Sequence, residues 1–146
     1  MPDPIKKQIL DRVLSNLAPL KANGTFRDIT RENDPLKESK ALPLLMVHEG
    51  EETTVSKTAT VWTCRFPVFL RITFQAARDA GAVKDALVAE VQKKIEADLT
   101  LNSLGLVLDG GNEEPAWTAD SQRVHRTTLQ YQVQYTRKIG DPTLSS

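Results

Sequence analysis

Thr60-Val61-Trp62-Thr63-Cys64-Arg65-Phe66-Pro67-Val68-Phe69-Leu70-Arg71-Ile72-Thr73-Phe74-Gln75 decides the fold. Every even position from Trp62 to Phe74 is apolar, while the odd positions carry most of the polar side chains. That is the period of a strand with one buried face. A second stretch of the same kind, Thr128-Leu129-Gln130-Tyr131-Gln132-Val133-Gln134-Tyr135-Thr136, lies near the C-terminus. At about 3.3 Å per residue the first stretch runs ~45 Å, longer than the roughly 38 Å diameter of a compact chain of this length. It must bend or project, and a projecting strand with unpaired backbone groups is normally covered by another chain. The reading points to a subunit of an assembly before it points to an enzyme.

Outward from these strands the other elements follow. Ile5, Ile9, Leu10, Val13, Leu14 and Leu17 recur at helical spacing, predicting a first helix over 4–17 with Asp3 as N-cap, Pro4 at its first position and Pro19 as its stop. A short strand is expected over 25–29, then a polar connection over 30–40, read as solvated rather than as a partner-contacting flap. Residues 42–48 read as a strand that pairs with the long one, with Glu49-Gly50-Glu51-Glu52 as an acidic hairpin tip. Val83, Leu87, Val91 and Ile95 mark a second helix over 82–98. Short strands are expected over 104–108, stopped by the Asp109-Gly110-Gly111-Asn112 turn, and over 116–118, before the last strand, 124–137. The whole is an α+β fold, a mainly antiparallel sheet with two long strands, backed on one face by two helices. Residues 1–146 read as one domain with a short polar tail over 140–146.

Composition excludes several classes. Apolar residues make up 40% and charged residues 26% of the 146, which argues against wholesale disorder and fibrous architecture. No apolar run has the length of a membrane span, and Met1-Pro2-Asp3-Pro4-Ile5-Lys6-Lys7 lacks the apolar region of a secretion signal, so a cytosol-like compartment is expected. The single cysteine, Cys64, has no internal partner and sits on the apolar face of the long strand, as a small buried hydrophobe does. Net charge is zero, but unevenly spread. Lys57, Arg65, Arg71 and Arg78 meet no acid between residues 53 and 78, and the last strand is equally basic. Acids gather at Glu49, Glu51 and Glu52, at Asp109, Glu113, Glu114 and Asp120, and on the second helix. Such segregation suits complementary docking between copies, or simply reflects the liking of acids for turns.

Chemistry is thinly supplied. His48 beside Glu49, Glu51 and Glu52 is the one local cluster of metal-ligand type, yet successive strand residues face opposite ways, and no metal is assigned. With two histidines and one cysteine, no nucleophile and base are visibly paired, and Gly110-Gly111 precedes no helix that would receive a phosphate. No catalytic residue and no cofactor is expected. Arg65 and Arg71 share the outward parity of the long strand with Phe69, and Arg126 shares a face with Gln130, Gln132 and Gln134. These three arginines are candidates for contact with nucleic acid or a neighbouring subunit. Overall neutrality, with a sequence pI near 6.7, weighs against a dedicated nucleic-acid module.

Several stretches resemble tail terminator proteins of long-tailed bacteriophages, also called tail completion or minor tail U-like proteins. They are Ile5-Lys6-Lys7-Gln8-Ile9-Leu10, Leu42-Pro43-Leu44-Leu45-Met46-Val47 leading into Glu49-Gly50-Glu51-Glu52, Ile95-Glu96-Ala97-Asp98-Leu99-Thr100-Leu101-Asn102-Ser103-Leu104, and Tyr131-Gln132-Val133-Gln134-Tyr135-Thr136-Arg137 with Gly140-Asp141-Pro142. The resemblance implies a non-enzymatic ring, usually a homohexamer, that caps the tail tube, stops its polymerisation and offers a docking surface to the head-tail connector or neck protein. It implies a virion component at the head-proximal end of the tail, assembled in the host cytoplasm without a membrane. Arg65, Arg71 and Arg126 would then face the lumen, touching passing DNA transiently, or a neighbouring subunit, and Glu49, Glu51 and Glu52 would form an acidic docking turn. A head-completion or neck protein of the same joint is the alternative, and a small nucleic-acid-binding module the second.

Overall fold

The computed structural model describes residues 4–31, 42–76, 78–113, 117–119 and 124–140. Among them stand two helices, α1 (Ile5–Ala22) and α2 (Ala80–Glu96). The strands are β1 (Asp28–Thr30), β2 (Leu44–Glu49), β3 (Thr53–Lys57), β4 (Val61–Gln75), β5 (Leu106–Glu113), β6 (Trp117–Ala119) and β7 (Val124–Lys138). They form one seven-stranded sheet in the order β1-β2-β4-β7-β5, with β3 also on β4 and β6 also on β7. Every pairing is antiparallel except β1 with β2. The α+β plan with two long strands and two helices on one face is the one expected.

The two long strands are unbroken and pair with each other over all 15 residues, from Val61 opposite Lys138 to Gln75 opposite Val124. Their alternation turns Cys64, Phe66, Val68, Leu70, Ile72 and Phe74 of β4 toward the helices, with Leu129, Tyr131, Val133 and Tyr135 of β7. Ile9, Leu10, Val13 and Leu17 of α1 and Leu87, Val91 and Ile95 of α2 close over them. At roughly 1.5–3 kcal/mol for each fully buried large side chain, this single layer is the main source of stability.

The expectation of a projecting strand with bare backbone is corrected. β4 lies inside the sheet, paired by β7 on one edge and by β2 and β3 on the other. β7 is likewise flanked by β4 and by β5 with β6. The long strands shelter each other; what stands clear of the helices is the β3–β4 hairpin, where all five residues of β3 are exposed.

Helix α2 and strand β1 are shifted from the expected 82–98 and 25–29 to Ala80–Glu96 and Asp28–Thr30, and four further readings differ. Helix α1 runs through Pro19 to Ala22: the proline gives up only its own bond to the Ser15 carbonyl, the turn beyond it closes with the Asn23 N–H donating to the Pro19 carbonyl at 2.9 Å, and Leu20 in that turn is fully buried. At its start Pro4 holds an extended ψ of 146° and is the cap residue rather than the first helical one, and Asp3 lies outside the described residues. Glu49-Gly50-Glu51-Glu52 is not a hairpin tip: the chain continues into β3, and the tip falls at residues 58–60, where Thr58 and Val61 exchange the closing hydrogen bonds. Strand β5 does not stop at Asp109 but passes through Gly110 and Gly111 to Glu113, absorbing two register shifts. Glycine is needed there: both have positive φ, and a Cβ on Gly110 would come within 2.5 Å of the Gln130 carbonyl oxygen. The polar connection expected over 30–40 and the tail over 140–146 fall, from residues 32 and 141 onward, outside the described residues.

Candidate functional site

The face of the sheet turned away from the helices carries the odd positions of β4 and the even positions of β7. Register places Arg65 opposite Gln134, Pro67 opposite Gln132, Phe69 opposite Gln130, Arg71 opposite Thr128 and Thr73 opposite Arg126. Arg65, Arg71 and Arg126 therefore share one face through the register. Arg65 and Arg71 are six residues apart, about 20 Å along the strand, while Arg126 lies diagonally across from Arg71. All three are half-buried, with the Nε end of each guanidinium group out of contact with solvent. Arg65 donates from Nη2 to Oε1 of Gln134 at 3.1 Å.

Between the arginines lies an aromatic pair. Phe69 stacks on His48 of β2, its cross-strand partner, with ring centroids 5.0 Å apart and planes 22° from parallel. Burial, and then the charge of Arg71, hold the His48 imidazole below its ordinary pKa, so it is neutral at pH 7. Toward the β2 end Leu44, Met46 and Thr73 are buried on this same face. The surface is thus a basic, glutamine-rich strip that is covered over at its β2 end.

The acidic turn is only partly free. Glu49 accepts from Arg31 Nη2 at 3.3 Å, and Glu52 accepts from the hydroxyl of Tyr135. Burial, and then this hydrogen bond to Glu52, push the Tyr135 phenol well above its ordinary pKa. Glu51 stands exposed between them. The turn is held by Gly50, whose N–H donates to the carbonyl of Pro67 at 2.8 Å. Pro67 has no N–H for a partner strand, and it sits where β2, which ends opposite Val68, gives way to β3, which begins opposite Arg65. That proline is the sequence signal for the break between β2 and β3.

A second feature comes from register alone. Trp62 lies between its two cross-strand partners, with Lys57 Nζ 4.5 Å and Arg137 Cζ 4.6 Å from its ring centroid. Cations flank the indole next to the tip of the exposed β3–β4 arm. Nothing in the local sequence brings these three residues together.

Among the described residues no group of three or more His, Cys, Asp or Glu side chains is arranged to hold a metal ion, and no helix is long and apolar enough to cross a membrane. Cys64 is a buried thiol in the core. What this face offers chemically is a row of spaced cations and amides.

No protein-family model and no curated protein matches the sequence. Solved structures do match the fold. One is a chain from the virion of a native gene transfer agent particle, 20% identical, aligned over 84% of this chain and 90% of that one with a TM-score of 0.51. The likeness establishes a common fold over nearly the full length of both.

Proposed function

We propose that the chain is a structural, non-enzymatic subunit of a phage-like virion, and within it the tail terminator. Copies form a ring, six-membered in the family the sequence resembles, that caps the tail tube, stops its polymerisation and presents a docking surface to the head-tail connector or neck protein. The observation that carries this reading is the fold likeness to a virion chain over nearly all of both molecules. The sheet supports it: one face packs against helices, and the other offers a strip long enough to line a passage.

In this reading Arg65, Arg71 and Arg126 face the lumen or a neighbouring subunit. On the lumen side their spacing gives separate, weak phosphate contacts that DNA passes without being held. Glu51, steadied by the anchored Glu49 and Glu52, is the exposed member of the acidic docking turn. Assembly takes place in the host cytoplasm, and the finished protein resides at the head-proximal end of the tail.

Light scattering coupled to size exclusion, with and without purified tail tubes, tests the reading. A ring-sized particle, or a monomer that assembles on tubes, is expected. A chain that stays monomeric and ignores tubes would contradict it. Pull-downs separate the two ends of the joint: retention by the portal side in place of the tube would make it a head-completion or neck protein.

A further inference from the structure

Five large apolar side chains stand 38% to 48% exposed among the described residues, and they fall into two groups. Val55 belongs to the β3–β4 arm, and Ile139, just past the end of β7, is tied to that arm by its N–H, which donates to the carbonyl of Thr60 at the hairpin tip at 3.0 Å. Leu99, Leu106 and Leu108 gather at the other margin of the sheet, around β5. The first group is basic, with Lys57, Arg137 and Lys138 beside it and no acid between residues 53 and 65. The second borders an open cavity of about 410 Å³ lined by Glu96, Leu99, Val107, Leu108, Asp109 and Tyr131. Its rim carries two acids, and Tyr131 contributes a buried hydroxyl that has no hydrogen-bond partner among the described residues.

We propose that the β3–β4 arm of one copy seats on the acidic β5 groove of the next, Val55 and Ile139 against Leu99 and Leu108, with Lys57 and Arg137 toward Glu96 and Asp109. Apolar meets apolar and base meets acid, on patches at opposite margins of one sheet. Two different patches make a heterologous contact, which propagates head to tail and closes into a ring when the rotation allows. The contact is made by side chains in a groove and not by strand addition. β5 carries register shifts at 107/109 and 110/112, and the outward N–H of Val107 already donates to the Leu99 carbonyl at 2.8 Å. Such bulged, occupied edges resist a further strand. The inference rests on the self-associating reading above and assigns its two surfaces.

Cysteine cross-linking on the full chain tests it. Val55→Cys and Leu108→Cys proteins are mixed and mildly oxidised; Cys64, buried in the core, does not compete. A disulfide-linked pair is expected in the mixture, in clear excess over Val55→Cys mixed with Ser15→Cys, whose position is exposed on α1. Charge reversal gives the second arm of the test: Asp109→Lys weakens assembly at least about tenfold, and Lys57→Glu on the partner restores it. If wild-type chains assemble while the Val55–Leu108 pair links no better than the control, or Val55→Cys links chiefly to itself, the surfaces are wrong and the ring reading stands. If wild-type chains never assemble, alone or on tubes, both fall.

Discussion

Gly50 and Pro67 are locked together where the sheet changes partners. The Gly50 N–H donates to the Pro67 carbonyl at 2.8 Å, and a Cβ built on Gly50 would lie 2.5 Å from Pro67 Cγ and 2.9 Å from the Phe69 ring. A proline in an inner strand removes one ladder bond, and here the flanking chain steps from β2 to β3 at that place. The step turns β3 into the start of the exposed arm, so a backbone accommodation ends as a surface feature.

Replacing Gly50 with alanine forces the methyl group against a rigid pyrrolidine ring. Gly50→Ala is expected to destabilise the protein by about 1–3 kcal/mol, read as a lowered urea midpoint with unchanged slope. Gly81, in the first turn of α2, has open space around it. Gly81→Ala is expected to stabilise by up to about 1 kcal/mol in the same measurement.

Leu101, Asn102 and Ser103 hold φ of 49°, 55° and 67°, a single left-handed turn built without glycine. Each such residue costs roughly 1–2 kcal/mol relative to the right-handed region. Leu101 repays part of this by burying its side chain in the core. Ser103, outside the core, has no such return, so Ser103→Gly is expected to raise the thermal midpoint by a few degrees, equivalent to about 1 kcal/mol.

The same turn is tied to α1 by Asp98. Its carboxylate accepts from Asn16 Nδ2 and Arg12 Nε, both at 2.8 Å, and from the Asn102 N–H at 3.3 Å. The hydrogen bonds from Asn16, then Arg12, hold its pKa below the ordinary carboxylate value. A depressed folded-state pKa means the folded protein binds this proton less readily than the unfolded chain. The stabilisation is therefore complete above the unfolded value, about 4, and is lost as pH falls through the folded value. Asp98→Ala is expected to cost about 2 kcal/mol at pH 7 and to flatten the fall of stability below pH 4, both measurable by urea titrations across pH.

Arg65, Arg71 and Arg126 lie on the surface of the sheet and not under it, so Arg→Gln at all three leaves the circular dichroism spectrum and self-assembly unchanged if they face the lumen. Residual DNA binding is expected to weaken, and the slope of log affinity against log salt to fall by about two to three. Loss of assembly in the triple variant would place these arginines between subunits instead.

The long strands were legible because a half-buried strand repeats its apolar side chains every second residue, and Cys64 to Phe74 and Leu129 to Tyr135 do so without interruption. β3 was hidden for the converse reason. Thr53 to Lys57 buries no side chain on either face, so no alternation marks it, and its only trace is Pro67 on the partner strand. Pro19 misled because a proline stops a helix only when the turns beyond it lack a reason to form, and Leu20 supplies one. Parity put Arg65 and Arg71 on one face of β4 and Arg126 with the glutamines on one face of β7; the register, Thr73 opposite Arg126, makes the two faces one. The flanking of Trp62 by Lys57 and Arg137, and the groove between Leu99 and Leu108, depend on which strand lies beside which, and that is set by the whole sheet.

Tube elongation measured by electron microscopy, with the cognate tail tube protein polymerising in the presence of this chain, tests the terminator role most directly. Tubes of arrested length, each bearing the protein at one end only, are the predicted result. Tubes that lengthen as fast with the protein as without it, and carry none at their ends, would contradict it.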